Sequence, residues 1–209
     1  VDHYVGRLLE KLRTLDCERD TLVIFTSDHG EMLGRRGFWW KGLPPFDDNQ
    51  QVPFLMRWPA LREAYPEAPR GRVPAFANLV DLLPTICEAI GAAVPLGVQG
   101  VSQLPVLRGE TESVLDHALV DFVACDTPEG RDPRAFATMH QQTLVHGDHK
   151  LIVYRHAPEQ GELYNLAEDP DQHTNLWDRA KPLREKLLMK LIEAQMRNVG
   201  RLPKRVGPA

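Results

Sequence analysis

An α/β fold, a mixed sheet flanked by helices, followed by a smaller antiparallel sheet packed with its own helix, is what this sequence predicts. Three observations predict it. An amphipathic helix leads straight into a short, continuously apolar strand, which is the order of elements in α/β proteins. A cluster of Pro and Gly from Pro95 to Gly109 then interrupts the chain near its middle. Beyond it, short β-rich runs are separated by turn signals, as in an antiparallel sheet.

The elements follow in order. Val1, Val5, Leu8, Leu9, Leu12 and Leu15 recur at helical spacing, with Arg7, Glu10, Lys11 and Arg13 on the other face. They predict a helix of about four turns. Leu22 to Thr26 is an uninterrupted β-rich run, the pattern of a strand buried on both faces. Val52 to Trp58, closed by Pro59, is a second. A helix is expected over Leu82 to Ile90: Asp81 can cap it, Pro84 fits its first turn and Gly91 sits where it ends. A boundary near residue 112 divides the chain into 1–111, part of an α/β domain, and 112–209, an α+β subdomain.

In the second part, Leu119 to Ala124, Ala135 to Gln141, Thr143 to His146, Lys150 to Arg155 and Glu162 to Tyr164 are strand candidates. Gly147-Asp148 is the strongest hairpin signal among them. Asp178 can cap a last helix, with Pro182 in its first turn and Leu183, Leu187, Leu188, Leu191 and Gln195 along one face. That face is expected to pack on the sheet. The tail from Gly200 is expected to be loose.

Composition excludes some functions. The 209 residues are 43% hydrophobic and 26% charged with a net charge of −4, and no basic block marks a nucleic-acid or acidic-membrane partner. No apolar run approaches the roughly 20 residues of a membrane helix, so the segment reads as soluble. Cys17, Cys87 and Cys125 are scattered and odd in number, which outlines neither a disulfide framework nor a zinc site. The chain starts at Val1 with a helix beginning at once, as in a sequence cut from something longer.

The chemistry gathers where the first strand ends. Ligand sites of open α/β sheets lie at the carboxyl ends of strands, and there the chain presents Asp28, His29 and Gly30. A carboxylate beside an imidazole can offer oxygen and nitrogen to one divalent metal, and glycine lets the backbone turn freely. A bare Asp-His-Gly is more often a strand-end turn. The surroundings shift the balance: a connection of about twenty-five residues, punctuated by Gly34, Gly37 and Gly42, is long enough to be functional. Trp39 and Trp40 argue for order, and Lys41 beside them, in an aromatic-walled crevice, suits an anionic oxygen.

These residues carry a resemblance. "VIFTSDHGEMLG", "WWKG" and "VPFLMRWPA", followed in order by "VDLLPTICEAIG", "GVQGVSQLPVLRGE", "HKLIVYR" and "GELYNLAEDPDQHTNLW", resemble the carboxyl-terminal portion of the sulfatase family, part of the alkaline phosphatase superfamily. The resemblance spans almost the whole chain. It implies that the first part belongs to an alkaline-phosphatase-like mixed sheet, and that Asp28 and His29 coordinate a divalent cation. That cation is calcium in most sulfatases and manganese or another metal in related phosphonate and phosphodiester hydrolases. Calcium prefers oxygen ligands whereas imidazole favours softer metals, so the metal stays open. The resemblance also implies that Lys41 holds a sulfate oxygen, as a catalytic and substrate-binding residue. The expected partner is a small-molecule or carbohydrate sulfate ester.

Two departures qualify it. Many members carry Glu-His or Asp-His where this chain has Arg35-Arg36; Arg36 is a candidate contact for anionic substrate, and solvent is the alternative for both. The sulfatase nucleophile is a formylglycine made in a C-x-P/A-x-R motif, yet Cys17 is followed by Glu-Arg-Asp, Cys87 by Glu-Ala-Ile and Cys125 by Asp-Thr-Pro. The formylglycine, with further metal-binding aspartates, is therefore expected in an upstream part. The intact protein is expected to be a sulfuric ester hydrolase and this fragment alone inactive. A phosphonate monoester or phosphodiester hydrolase, and a non-catalytic sulfatase-like binding protein, are the alternatives. Compartment, cytoplasmic or periplasmic, and oligomeric state are not set by this sequence.

Other candidates read as ordinary structure. His146 and His149 flank the hairpin turn, and His140 and His156 are strand surface residues. Glu168-Asp169-Pro170-Asp171 is a solvated turn, and Asp47 and Asp48 a solvated loop face.

Overall fold

The computed structural model describes residues 1–41, 44–123, 140–155 and 157–199. Helix α1 (Asp2–Thr14) has Asp2 in its first turn and Lys11 and Arg13 in its last, matching the helix dipole. Its apolar stripe forms as expected, but none of its residues is buried and Leu8 and Leu15 are more than half exposed. Strand β1 (Val23–Thr26) pairs antiparallel with β2 (Phe54–Arg57), Val23 opposite Arg57 and Thr26 opposite Phe54. Burial on both faces is not what the structure shows: Phe25 is exposed and no residue of β1 is fully buried. Among the described residues these two strands pair only with each other.

Between them lie a tight turn at Arg35–Gly37 and the one-turn helix α2 (Asp47–Gln50). Pro59 both closes β2 and opens α3 (Pro59–Ala64), at a position where its missing N–H has no helical partner to lose. Helix α4 (Leu82–Ala89) carries Pro84 in its first turn and ends before Gly91, whose φ is 70°. Asp81 does not cap it with its side chain. The carboxylate instead accepts the Asn78 and Val101 N–H groups, each at 2.8 Å, and Gln103 Nε2 at 2.9 Å. With three donors satisfied, a carboxylate that is 1% exposed is tolerable there. Helix α5 (Leu104–Arg108) follows and stops at Gly109, φ 77°.

The second sheet is a four-stranded antiparallel meander of β3 (His117–Val123), β4 (His140–His146), β5 (His149–Tyr154) and β6 (Gly161–Asn165). Gly147-Asp148 makes the β4–β5 hairpin, with Gly147 at φ 55° and His146 opposite His149. Thr143 and Gln141, expected in separate strands, share β4; residues 135–139, Ala124, Cys125, His156 and the tail from Gly200 lie outside the described residues. Helix α6 (Lys181–Val199) begins after Asp178, which is exposed and stands 3.7 Å from Arg184 rather than capping the helix.

Period-two alternation gives the sheet two faces. Leu144, Leu151 and Leu163 align across β4, β5 and β6 and form the core with Trp177, Leu187 and Leu191, so α6 packs here as expected. The opposite face presents Thr143 and Lys150, both fully buried, towards the amino-terminal part. Among the described residues no helix is long and apolar enough to cross a membrane.

Candidate active site

β1 runs out at Thr26, and the next four residues form a knot of short contacts. Ser27 Oγ donates to the His29 carbonyl at 2.8 Å, and the His29 N–H donates to Asp28 Oδ1 at 3.1 Å. His29 Nδ1 lies 2.7 Å from the Gly30 carbonyl, an acceptor only, so Nδ1 carries a proton, and in the neutral ring the lone pair is on Nε2. Nε2 is 3.6 Å from Asp28 Oδ2, and the Asp28 carboxylate is 84% exposed. Partial desolvation pushes the Asp28 carboxyl up, but the His29 charge, the backbone N–H groups of both residues and the Ser27 hydroxyl outweigh it and leave it below its ordinary value.

That geometry fits a divalent cation. An Nδ1–H bonded to a backbone carbonyl is the support that metal-bound histidines use, and it aims Nε2 and a carboxylate oxygen at the same space. Among the described residues no group of three or more His, Cys, Asp and Glu converges, so Asp28 and His29 do not by themselves make a full ligand set.

Gly30 is required by space rather than by a left-handed turn. A Cβ there would sit 1.9 Å from the Asp48 carbonyl oxygen, and the Gly30 N–H donates to the Asn49 carbonyl at 2.8 Å. The strand end is thus pressed against α2. Lys41 lines the same long groove as Asp28, His29, Asp47 and Asn49, a groove that continues past β2 to Val120 and Gln141 of the second sheet. The aromatic wall is not closed around it: Trp39 is 68% and Trp40 78% exposed, and Lys41 itself is exposed.

The two arginines point elsewhere. Arg35 bridges Asp48, Nε to Oδ1 at 3.0 Å, and Asp171, Nη2 to Oδ1 at 2.6 Å. Arg36, at φ 56°, stacks 4.0 Å over the Phe46 ring and donates to the Gln172 carbonyl at 3.4 Å. It is not among the residues lining the groove. Asp47 and Asp48 are likewise no solvated face: Asp48 takes Arg35, and Asp47 Oδ1 accepts Lys150 Nζ at 2.6 Å. The expected turn at 168–171 is anchored too, since Asp169 accepts the His173 and Thr174 N–H groups and Asp171 holds Arg35.

Lys150 escaped the reading of the sequence. Strand alternation from Leu151 puts it on the face away from α6, but only the fold shows that this face is covered. Burial pushes its ammonium below the ordinary range while Asp47 works against that shift. Nearby, the Tyr154 and Tyr164 hydroxyls both donate to Glu162, and burial followed by that carboxylate raises both phenols. Two other histidines serve the sheet: His146 Nδ1 donates to the Asp116 carbonyl at 2.8 Å, and His140 Nε2 meets Asp121 at 2.6 Å.

The mixed α/β architecture with its appended antiparallel sheet and helix is an alkaline-phosphatase-like fold, as in the solved structures it resembles. The chain resembles the sulfatase family, whose model matches residues 1–92. It is 28% identical over 194 residues to an N-acetylglucosamine-6-O-sulfatase of Bacteroides thetaiotaomicron, covering 92% of this chain and 33% of that protein. It is 31% identical over 181 residues to a choline-sulfatase of Rhizobium meliloti, covering 84% of this chain and 31% of that one. Its structure resembles a phosphonate monoester hydrolase of Agrobacterium radiobacter, with a TM-score of 0.81 and 28% identity over 94% of this chain and 39% of the other. A protein solved in complex with its substrate D-glucosamine-2-N,6-O-disulfate shares the fold, with a TM-score of 0.78 and 24% identity over 99% of this chain and 40% of the other. The chain spans about a third of the length of the curated relatives it matches.

Proposed function

We propose that the intact protein is a metal-dependent sulfatase hydrolysing a small-molecule or carbohydrate sulfate ester, and that this chain is its carboxyl-terminal portion. The observation that carries the reading is the strand end: His29 Nε2, its tautomer set by Gly30, stands 3.6 Å from Asp28 Oδ2, with Lys41 on the same groove. Asp28 and His29 would hold the cation, calcium or alternatively manganese or another divalent metal, which supplies Lewis-acid polarisation of an ester oxygen. The Lys41 ammonium binds an anionic oxygen of the tetrahedral group and steadies its growing charge. The formylglycine nucleophile expected upstream supplies the attacking oxygen. Arg36 is left out of substrate contact, because it does not line the groove and instead stacks over Phe46 and donates to Gln172. Similarity to the Agrobacterium radiobacter enzyme supports phosphonate monoester hydrolysis as the second reading.

The test is the rate of the intact protein on an aryl sulfate and on the matching phosphonate monoester, with added calcium or manganese. Metal-dependent sulfate hydrolysis, abolished by Asp28→Ala and cut about 10²-fold or more by Lys41→Ala, is expected. A preference for the phosphonate selects the second reading. No turnover of either, with metal bound, overturns both.

A further inference from the structure

The Lys150–Asp47 pair takes no part in the chemistry above, yet it sits on a continuous path to the site. Lys150 is wholly buried on the face of β5 opposite the Leu151 core row. Its Nζ holds Asp47, the first residue of α2, at 2.6 Å. At the other end of α2, Gln50 Nε2 donates to Thr143 Oγ1 of β4 at 3.0 Å. A single helical turn is too short to be stable alone, and here both its ends are fastened to the second sheet. From its middle, the Asn49 carbonyl takes the Gly30 N–H at 2.8 Å, and the Asp48 carbonyl leaves no room for a Cβ on Gly30. The Gly30 carbonyl in turn holds His29 Nδ1.

We propose that Lys150 is a positioning residue for the Asp28–His29 pair: from the second sheet it fixes α2 through Asp47, and α2 fixes the Gly30 turn that sets where the imidazole and carboxylate stand. An apolar side chain of the same length would fill this place with less desolvation cost, so packing alone does not account for an ammonium there. The inference rests on Asp28 and His29 forming the cation site of the proposed hydrolase.

The experiment compares Lys150→Met with Leu187→Ala in the intact protein. Lys150→Met keeps the length and removes the charge, whereas Leu187→Ala weakens the core on the far face of the same sheet without touching α2. Two quantities are read: calcium and manganese affinity by calorimetry, and amide hydrogen exchange of segment 27–33 in metal-free protein. Lys150→Met is expected to weaken cation affinity about tenfold or more and to speed exchange of that segment, while Leu187→Ala lowers Tm and leaves both readouts near wild type. Should Lys150→Met fail to fold, the Lys150→Met/Asp47→Asn double variant, which leaves no lone buried charge, is read in the same way. Equal behaviour of the Lys150 and Leu187 variants, or wild-type exchange in the Lys150 variant, overturns the positioning role. Asp28→Ala separates the two readings: if it leaves cation affinity unchanged the site assignment fails, and the exchange measurement alone then decides the role of Lys150.

Discussion

Replacing Gly30 by alanine is expected to destabilise the protein although the change adds one methyl group. At a compatible site, Gly→Ala stabilises by about 0.4–1 kcal/mol, because it lowers the entropy of the unfolded chain. Here the new Cβ would lie 1.9 Å from the Asp48 oxygen, 2.8 Å from its carbon and 3.0 Å from the Asn49 carbon, all of them backbone. The two segments must part by about 1 Å, which breaks the 2.8 Å Gly30–Asn49 hydrogen bond. Overpacking costs about 1–3 kcal/mol and the lost bond about 0.5–1.5 kcal/mol, so after the entropy gain about 1–4 kcal/mol of net destabilisation is expected. For a chain of this size that lowers Tm by on the order of 10 °C. Thermal unfolding followed by circular dichroism measures it. A Tm equal to or above wild type would refute the reasoning, since it would mean that α2 does not press on the strand end.

Two further outcomes follow from single contacts. Thr85 is fully buried, donates to the Asp81 carbonyl at 2.6 Å and accepts the Gln103 N–H at 2.9 Å; Thr85→Val strands that N–H and is expected to cost about 1–3 kcal/mol in urea unfolding, while Thr85→Ser recovers most of it. Asp116 is held well below the usual carboxylate range by its hydrogen bond from Lys190, then by that from His117. A depressed folded pKa means the stabilisation is present above the unfolded value near 3.8 and is lost as pH falls below it. The carboxylate is 56% exposed, so the difference in stability between wild type and Asp116→Asn should be at most about 1 kcal/mol at neutral pH. It should shrink below pH 3.8, and a gap that widens on acidification would contradict the assignment.

Much of the architecture was legible before any coordinates. The α1 stripe, the proline-marked start of α4 and the Gly147-Asp148 hairpin follow from local periodicity and turn chemistry, which depend on neighbours in sequence. Capping was read less well. Asp81 and Asp178 have the right residue type, but whether a carboxylate caps its own helix or serves a distant donor depends on what the fold brings near it, here Val101 and Gln103.

The sequence by itself determined that a carboxylate and an imidazole adjoin at a strand end, because adjacency in the chain is adjacency in space. It also determined the apolar face of α6, which depends only on helical period. Only the tertiary structure decided which charges meet across long separations. Arg35 reaches Asp171, Arg36 reaches Gln172, Asp47 reaches Lys150, and Gly30 lies beneath Asp48. The first three of these pairs join the amino-terminal part to the second sheet and the turn after it, whereas Gly30 and Asp48 meet within the amino-terminal part. A charge alone in sequence carries no mark of the partner that will neutralise it, and burial makes that partner obligatory.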